Sequence, residues 1–229
     1  MKRYTTGLVR SVFGTLAAVF VLSASAQAGP PLICHPIAIG ASRSLPWGSG
    51  SELPNYDLKN LVRDTLSILN SNAPVLVRME TLRRATLYAR RDPQAAKELL
   101  TRLYSRATHA DAVGRPDALA AFDLGYLIEC YKQWLGQNLP HMTDGMPMDP
   151  NPAAGLDGYA WVTKAISLRG QEPEMEFAAA LITLGRSQQN HQEHVQKAVA
   201  GAKKDPLLAE NLARSFFADV FGKVTRAEK

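Results

Sequence analysis

Residues 117–135 read DALAAFDLGYLIECYKQWL. Leu119, Phe122, Leu124, Tyr126, Leu127, Ile128, Cys130, Tyr131 and Trp134 place apolar groups on most sides of a helix drawn through them. A helix apolar all round is buried, whereas a one-sided stripe sits at the edge of a core. This stretch is therefore expected to be the central, most buried helix. The segments before it carry one-sided stripes at i, i+3, i+4, i+7 spacing. Leu58, Leu61, Val62, Thr65, Leu66 and Leu69 form the first, and Asn70-Ser71-Asn72 ends it. Pro74 restarts the pattern at a first-turn position, where a missing N–H costs nothing. Val75, Met79, Leu82, Thr86 and Ala89 make the next seam; then Asp92 caps and Pro93 opens a helix with Ala96, Leu99, Leu100, Leu103 and Ala107 on one face. Further helices are expected at about 157–169, 173–187, 191–203 and 206–222. Asp157 is a cap, Gly170 a C-terminal turn residue, and Asn190 with Glu193 a capping box. No strand pattern matches these in strength, so the fold class is all-α.

Three helix junctions are alike: Ala85 to Pro93, Ala165 to Pro173 and Ala198 to Pro206 each read Ala, six residues, an acid, then Pro. The last two prolines are 33 residues apart and the first two 80 apart, close to one and to two two-helix units, the second with a loop insertion. With Leu124-Gly125 in mid-helix, these junctions resemble those of tetratricopeptide-repeat proteins over residues 74–222. The full repeat pattern of that family is not met in any one unit. The resemblance implies stacked antiparallel helical hairpins with a concave surface that binds a partner; the alternative is an irregular helical bundle.

The N-terminus reads as a signal peptide. Lys2, Arg3 and Arg10 precede an apolar run from Val12 to Leu22, and Ala26-Gln27-Ala28 is an A-x-A cleavage pattern. The run is about half the ~20 residues that a membrane span needs. A chain cut after Ala28 is periplasmic or secreted, and no integral membrane segment is expected in it. The net charge of +5 falls to +2 without residues 1–28, which hold three basic and no acidic groups. So small a charge gives no argument for nucleic acid. Two cysteines remain, Cys34 and Cys130. In an oxidising compartment they form an expected disulfide closing a loop of roughly 100 residues, worth at most about 4–5 kcal/mol by chain entropy. The other reading makes Cys130 a buried thiol.

Residues 29–56 form an expected extended arm. Pro30, Pro31, Pro36, Pro46 and Pro54 forbid a long helix, while Ile33, Ile37, Ile39, Leu45 and Trp47 are too apolar for a free tail. The single helical domain is then 57–229, with a long Pro-rich loop at 136–156. Loops of that length are often functional.

Candidate chemistry is sparse. His141, Met142, Met146 and Met148 lie within eight residues, and thioether with imidazole suits copper. His191 and His194 share a helical face but match no zinc-protease spacing. Asp123 sits on the most apolar helix, and with Glu129 it makes a candidate acid pair for a small all-α hydrolase, at an unfavourable i+6 spacing. Residues 78–106 hold eight basic groups (Arg78, Arg83, Arg84, Arg90, Arg91, Lys97, Arg102, Arg106) against three acids. That excess either steers an acidic partner or is a solvated face. There is no Gly-x-Ser-x-Gly elbow, no phosphate-binding Gly-rich loop and no Cys-x-x-Cys-His site. The best reading is an exported helical protein, not an enzyme, that binds a protein or peptide and uses no cofactor. Its expected surface combines the loop, Trp47 on the arm, and Arg83, Arg84, Arg90 and Arg91. A copper-binding protein and the hydrolase are the alternatives.

Overall fold

The computed structural model describes residues 30–49, 52–135, 151–170, 172–184, 188–214, 216–218, 220 and 221. The expected signal peptide and the Met/His loop, with His141, Met142, Met146 and Met148, lie outside the described residues. Those residues are all-α. A 3₁₀ turn at Leu58–Asn60 leads into α1 (Leu61–Leu69), α2 (Val75–Ala89), α3 (Pro93–Ala112), α4 (Ala118–Leu135), α5 (Gly158–Arg169), α6 (Pro173–Thr183), α7 (Gln188–Ala202) and α8 (Pro206–Ala213). No helix among the described residues is long and apolar enough to cross a membrane.

Aspartates start most of these elements. Asp92 accepts from the amides of Gln94 and Ala95, and Asp205 from those of Leu207 and Leu208. Asp117 accepts from Leu119 and Ala120, and Asp157 from Ala160. Each such cap satisfies N–H groups that the helix leaves open and is worth about 1 kcal/mol. Pro93, Pro173 and Pro206 each sit in the first turn. The shared junction is thus a cap followed by a pre-set φ, although Glu172 makes no capping bond.

Some boundaries move. Pro74 is the N-cap of α2 rather than a first-turn residue. α7 starts at Gln188, so Asn190 lies inside the helix and is not its cap. α8 stops at Ala213 because Arg214 is extended (ψ 144°), and helix resumes at residue 216.

Two hairpins, α4 with α5 and α6 with α7, form the closest helix pairs. Gly125 and Gly158 make the first possible. A Cβ built on Gly125 would stand 2.5 Å from the Gly158 carbonyl oxygen, and one on Gly158 would meet the Gly125 carbonyl as closely. Gly201 plays the same part against the Pro173 ring in the second hairpin. α2 packs on α1, α3, α4 and α6. In an open repeat stack each unit touches only its neighbours; here the meeting of α2 and α6 closes the chain into a bundle. The centre is therefore shared: α4 is buried as expected, but α2 is buried on nearly every side too. Its polar side chains hide this in the sequence.

Candidate functional site

What covers α2 is the arm. Leu32, Ile33, Ile37 and Leu45 are buried in the common core. The arm is not uniformly extended. It turns at Pro30–Cys34, where the Cys34 amide bonds the Pro30 carbonyl, and again at Ile39–Ser42, where Gly40 takes a left-handed φ of +58°. Buried backbone outside helices needs partners, and the helical body supplies them as side chains. Glu80 Oε2 accepts from the Ile37 amide at 2.9 Å. Arg83 donates to the Ile33 carbonyl at 3.1 Å, and Arg84 to the Leu45 carbonyl at 2.6 Å. The Tyr88 hydroxyl donates to the Pro46 carbonyl and accepts from the Leu53 amide. From α4, Gln133 accepts from the Leu32 amide. Beyond it, Asn211 of α8 bonds both main-chain groups of Ala38, and Arg214 donates to the Pro36 carbonyl. Nearly every grip is on main chain.

The same residues resolve the basic excess. Arg83 and Arg84 both pair with buried Glu80, at 2.8 and 2.7 Å. Arg78 is buried against Asp123 at 2.6 Å and also bonds the Leu69 and Ala73 carbonyls. Arg90 pairs with Glu52, and Arg106 with Asp117 and Asp123. The expected solvated or partner-facing row is thus largely an internal clamp whose acids lie partly outside residues 78–106. Arg83, at 3% exposure, faces no solvent. Trp47 is half-buried, with the Arg83 and Arg84 guanidinium carbons 5.0 and 5.6 Å from its ring centroid and Tyr88 edge-on at 5.7 Å. Arg91 lies outermost, over the Tyr88 ring at 5.8 Å.

Beside the arm a cleft of about 480 Å³ opens between residues 43–46 and α1. Arg43, Pro46, Ser67 and Ser71 are exposed at it, Leu45 and Ile68 form its apolar floor, and Asp64 accepts from the Tyr56 hydroxyl at 2.9 Å. Among the described residues that line it, Arg43 and Asp64 are the titratable side chains, and no cluster of acids or imidazoles is found there.

The expected chemical groups are placed otherwise. Asp123 is sealed in the core, and burial pushes its carboxyl up to about 7 against the pull of Arg78 and Arg106. Buried Glu129 accepts from the Gly158 amide at 3.0 Å and from Lys132. This pair ties helices together, which removes the hydrolase built on it. The expected Cys34–Cys130 disulfide is not formed. Cys130 is wholly buried, and burial pushes its thiol well up, out of the range in which thiolate chemistry begins. Cys34 is only half-buried, on the arm.

His194 lies on α7. It is buried, with Nδ1 2.5 Å from Glu176 Oε2 and Nε2 2.8 Å from the Tyr159 hydroxyl. His191 Nδ1 faces the Ala180 carbonyl at 3.0 Å. A carboxylate only accepts, so Nδ1 is the donor toward Glu176, while Nε2 and the Tyr159 hydroxyl face each other in a second polar contact. Residues 18 and 35 positions apart give no sequence signal for this chain of bonds. It joins α5, α6 and α7 away from the cleft, as a tie between helices. Among the described residues, no group of three His, Cys, Asp or Glu side chains is placed to hold a metal ion.

Neither a family model, nor a curated protein, nor a solved structure matches the chain.

Proposed function

We propose that this is an exported, non-enzymatic protein that binds a segment of a protein or peptide partner. The observation that carries the reading is the arm itself. The body already holds a non-helical stretch of chain through its main-chain groups, with pockets for the apolar side chains, and an open cleft runs beside that stretch. Main-chain hydrogen bonds give affinity for peptide as such, and pockets give selectivity. The cleft offers the same chemistry on a smaller scale: serine hydroxyls, one guanidinium, one carboxylate and an apolar floor. Among the described residues, no convergent set of titratable groups lines it. Export rests on the basic, apolar and A-x-A order of residues 1–28.

The test is selection of a displayed peptide library on residues 29–229. Enriched peptides are then titrated against the parent chain and against Ser67→Trp, which fills the cleft from an exposed position. Peptides that bind the parent and lose at least tenfold in affinity on Ser67→Trp bear the reading out. No enrichment, or binding that the tryptophan leaves unchanged, defeats it.

A further inference from the structure

We infer that the partner segment meets the cleft with an acidic side chain, an Asp or Glu whose carboxylate is held by Arg43. This rests on the cleft being the peptide site proposed above, and it follows from which of the cleft's polar groups are still open to a ligand. One wall is Asp64, Ser67 and Ile68 of α1 with Ser71 just beyond its end, and the other is the arm at residues 43–46. Most of their polar groups are already engaged. Asp64 Oδ2 accepts from the Tyr56 hydroxyl, and Oδ1 pairs with Arg63 at 3.0 Å. The Ser44 hydroxyl lies 2.9 Å from that of Thr81, and the Ser71 hydroxyl donates to the Ile68 carbonyl. The carbonyls of Leu45 and Pro46 accept from Arg84 and Tyr88, and Pro46 has no N–H to give.

What stays open is a donor. Arg43 is exposed and makes no hydrogen bond or ion pair with any described residue. Its guanidinium carries N–H donors and no acceptor. A helix C-terminus normally adds a negative potential that repels an anion. At α1 the last carbonyls are closed: Leu66 accepts from the Asn70 amide, Ile68 from the Ser71 amide, and Leu69 from the buried Arg78 guanidinium. Arg63 likewise offsets Asp64, so the cleft with Arg63 beside it holds two cations and one anion among the described residues. A net cationic site beside apolar Leu45 and Ile68 fits an anion carried next to an apolar residue, and the planar guanidinium fork fits a carboxylate. The cleft is open to solvent, so a chain can pass through it without ending there, which puts the carboxylate on a side chain.

The test uses short random peptides displayed between Gly/Ser flanks. They are selected in parallel on the parent chain, on Arg43→Glu, and on Lys97→Glu, which makes the same charge change at an exposed residue of α3. The parent and Lys97→Glu are expected to enrich Asp and Glu at one peptide position, and Arg43→Glu to replace that preference with Lys and Arg. For one enriched peptide made synthetically, changing its acid to the matching amide should weaken binding to the parent by about fivefold or more. The same change should leave binding to Arg43→Gln unaltered, and amidating the peptide's C-terminus should alter neither. Enrichment on the parent without an acidic excess overturns the inference and leaves the cleft standing as a peptide site. So does an acidic excess that survives Arg43→Glu, or binding that is lost on amidation. Selection that enriches no peptide on the parent overturns both.

Discussion

Asn211 of α8 closes both main-chain groups of Ala38: its Oδ1 accepts from the Ala38 amide at 2.7 Å and its Nδ2 donates to the Ala38 carbonyl at 3.0 Å. The two residues are 173 positions apart, and this one amide joins the arm to α8. Asn211 is fully buried. Asn211→Ala therefore orphans two main-chain groups and is expected to cost about 1–3 kcal/mol. Urea unfolding measures the loss, and limited proteolysis locates it, with faster cutting in residues 30–49.

Glu80 is the hub of the clamp, accepting from Arg83, Arg84 and the Ile37 amide. Glu80→Gln keeps the shape but leaves two partly or wholly buried guanidinium groups without their anion. Removing one partner of a buried pair costs about 3–5 kcal/mol. The same assay should show a far larger loss than Glu98→Gln, which breaks the exposed pair with Arg102 and is expected to cost under about 1 kcal/mol.

Gly125 and Gly158 test the α4–α5 contact. Gly125→Ala drives a methyl group into the backbone of α5 and is expected to destabilise by more than about 2 kcal/mol, as overpacking of a close contact does. Gly155→Ala meets no nearby atom but sits at a φ of +76°, so its cost is confined to backbone strain of about 1 kcal/mol. Thermal melts of the two variants should rank in that order.

Asp123 gives a pH signature. Its folded carboxyl titrates near 7, above an unfolded value near 3.8, so the folded chain holds more protons between those values. Its contribution therefore disfavours folding above about 7, and the penalty lifts as pH falls toward 4. Asp123→Asn removes that dependence. The stability of the parent relative to Asp123→Asn, followed by urea unfolding, should rise from pH 7.5 to pH 4.5 by at most about 1.4 kcal/mol per unit.

The helices were largely legible in the sequence because caps and apolar periodicity are local. Asp92-Pro93 and Asp205-Pro206 start elements where the chemistry of a first turn says they should, and the Leu58–Leu69 stripe faces the core. Helix α2 was misjudged for a physical reason. Arg78, Arg83 and Arg84 read as part of a solvated or partner-facing basic row because a sequence does not reveal what lies over it; here Asp123 and the Leu69 and Ala73 carbonyls cover Arg78, and the arm carbonyls of Ile33 and Leu45 cover Arg83 and Arg84. Asp123 and Glu129 stand out as lone acids on an apolar helix, yet Arg78 and the Gly158 amide that bond them are 45 and 29 residues away. The Glu176, His194 and Tyr159 chain escaped notice for the same reason. Cys34 and Cys130 suggested a staple between arm and body; main-chain bonds from Glu80, Arg84 and Asn211 do that work instead.

Amide hydrogen exchange shows whether the body holds the arm by its main chain. The Leu32, Ile37 and Ala38 amides, which donate to Gln133, Glu80 and Asn211, are expected to exchange nearly as slowly as the amides of α2, and of the three Ala38 is expected to speed up most in Asn211→Ala. Exchange of all three at the rates of a free peptide, beside a protected α2, would contradict that hold.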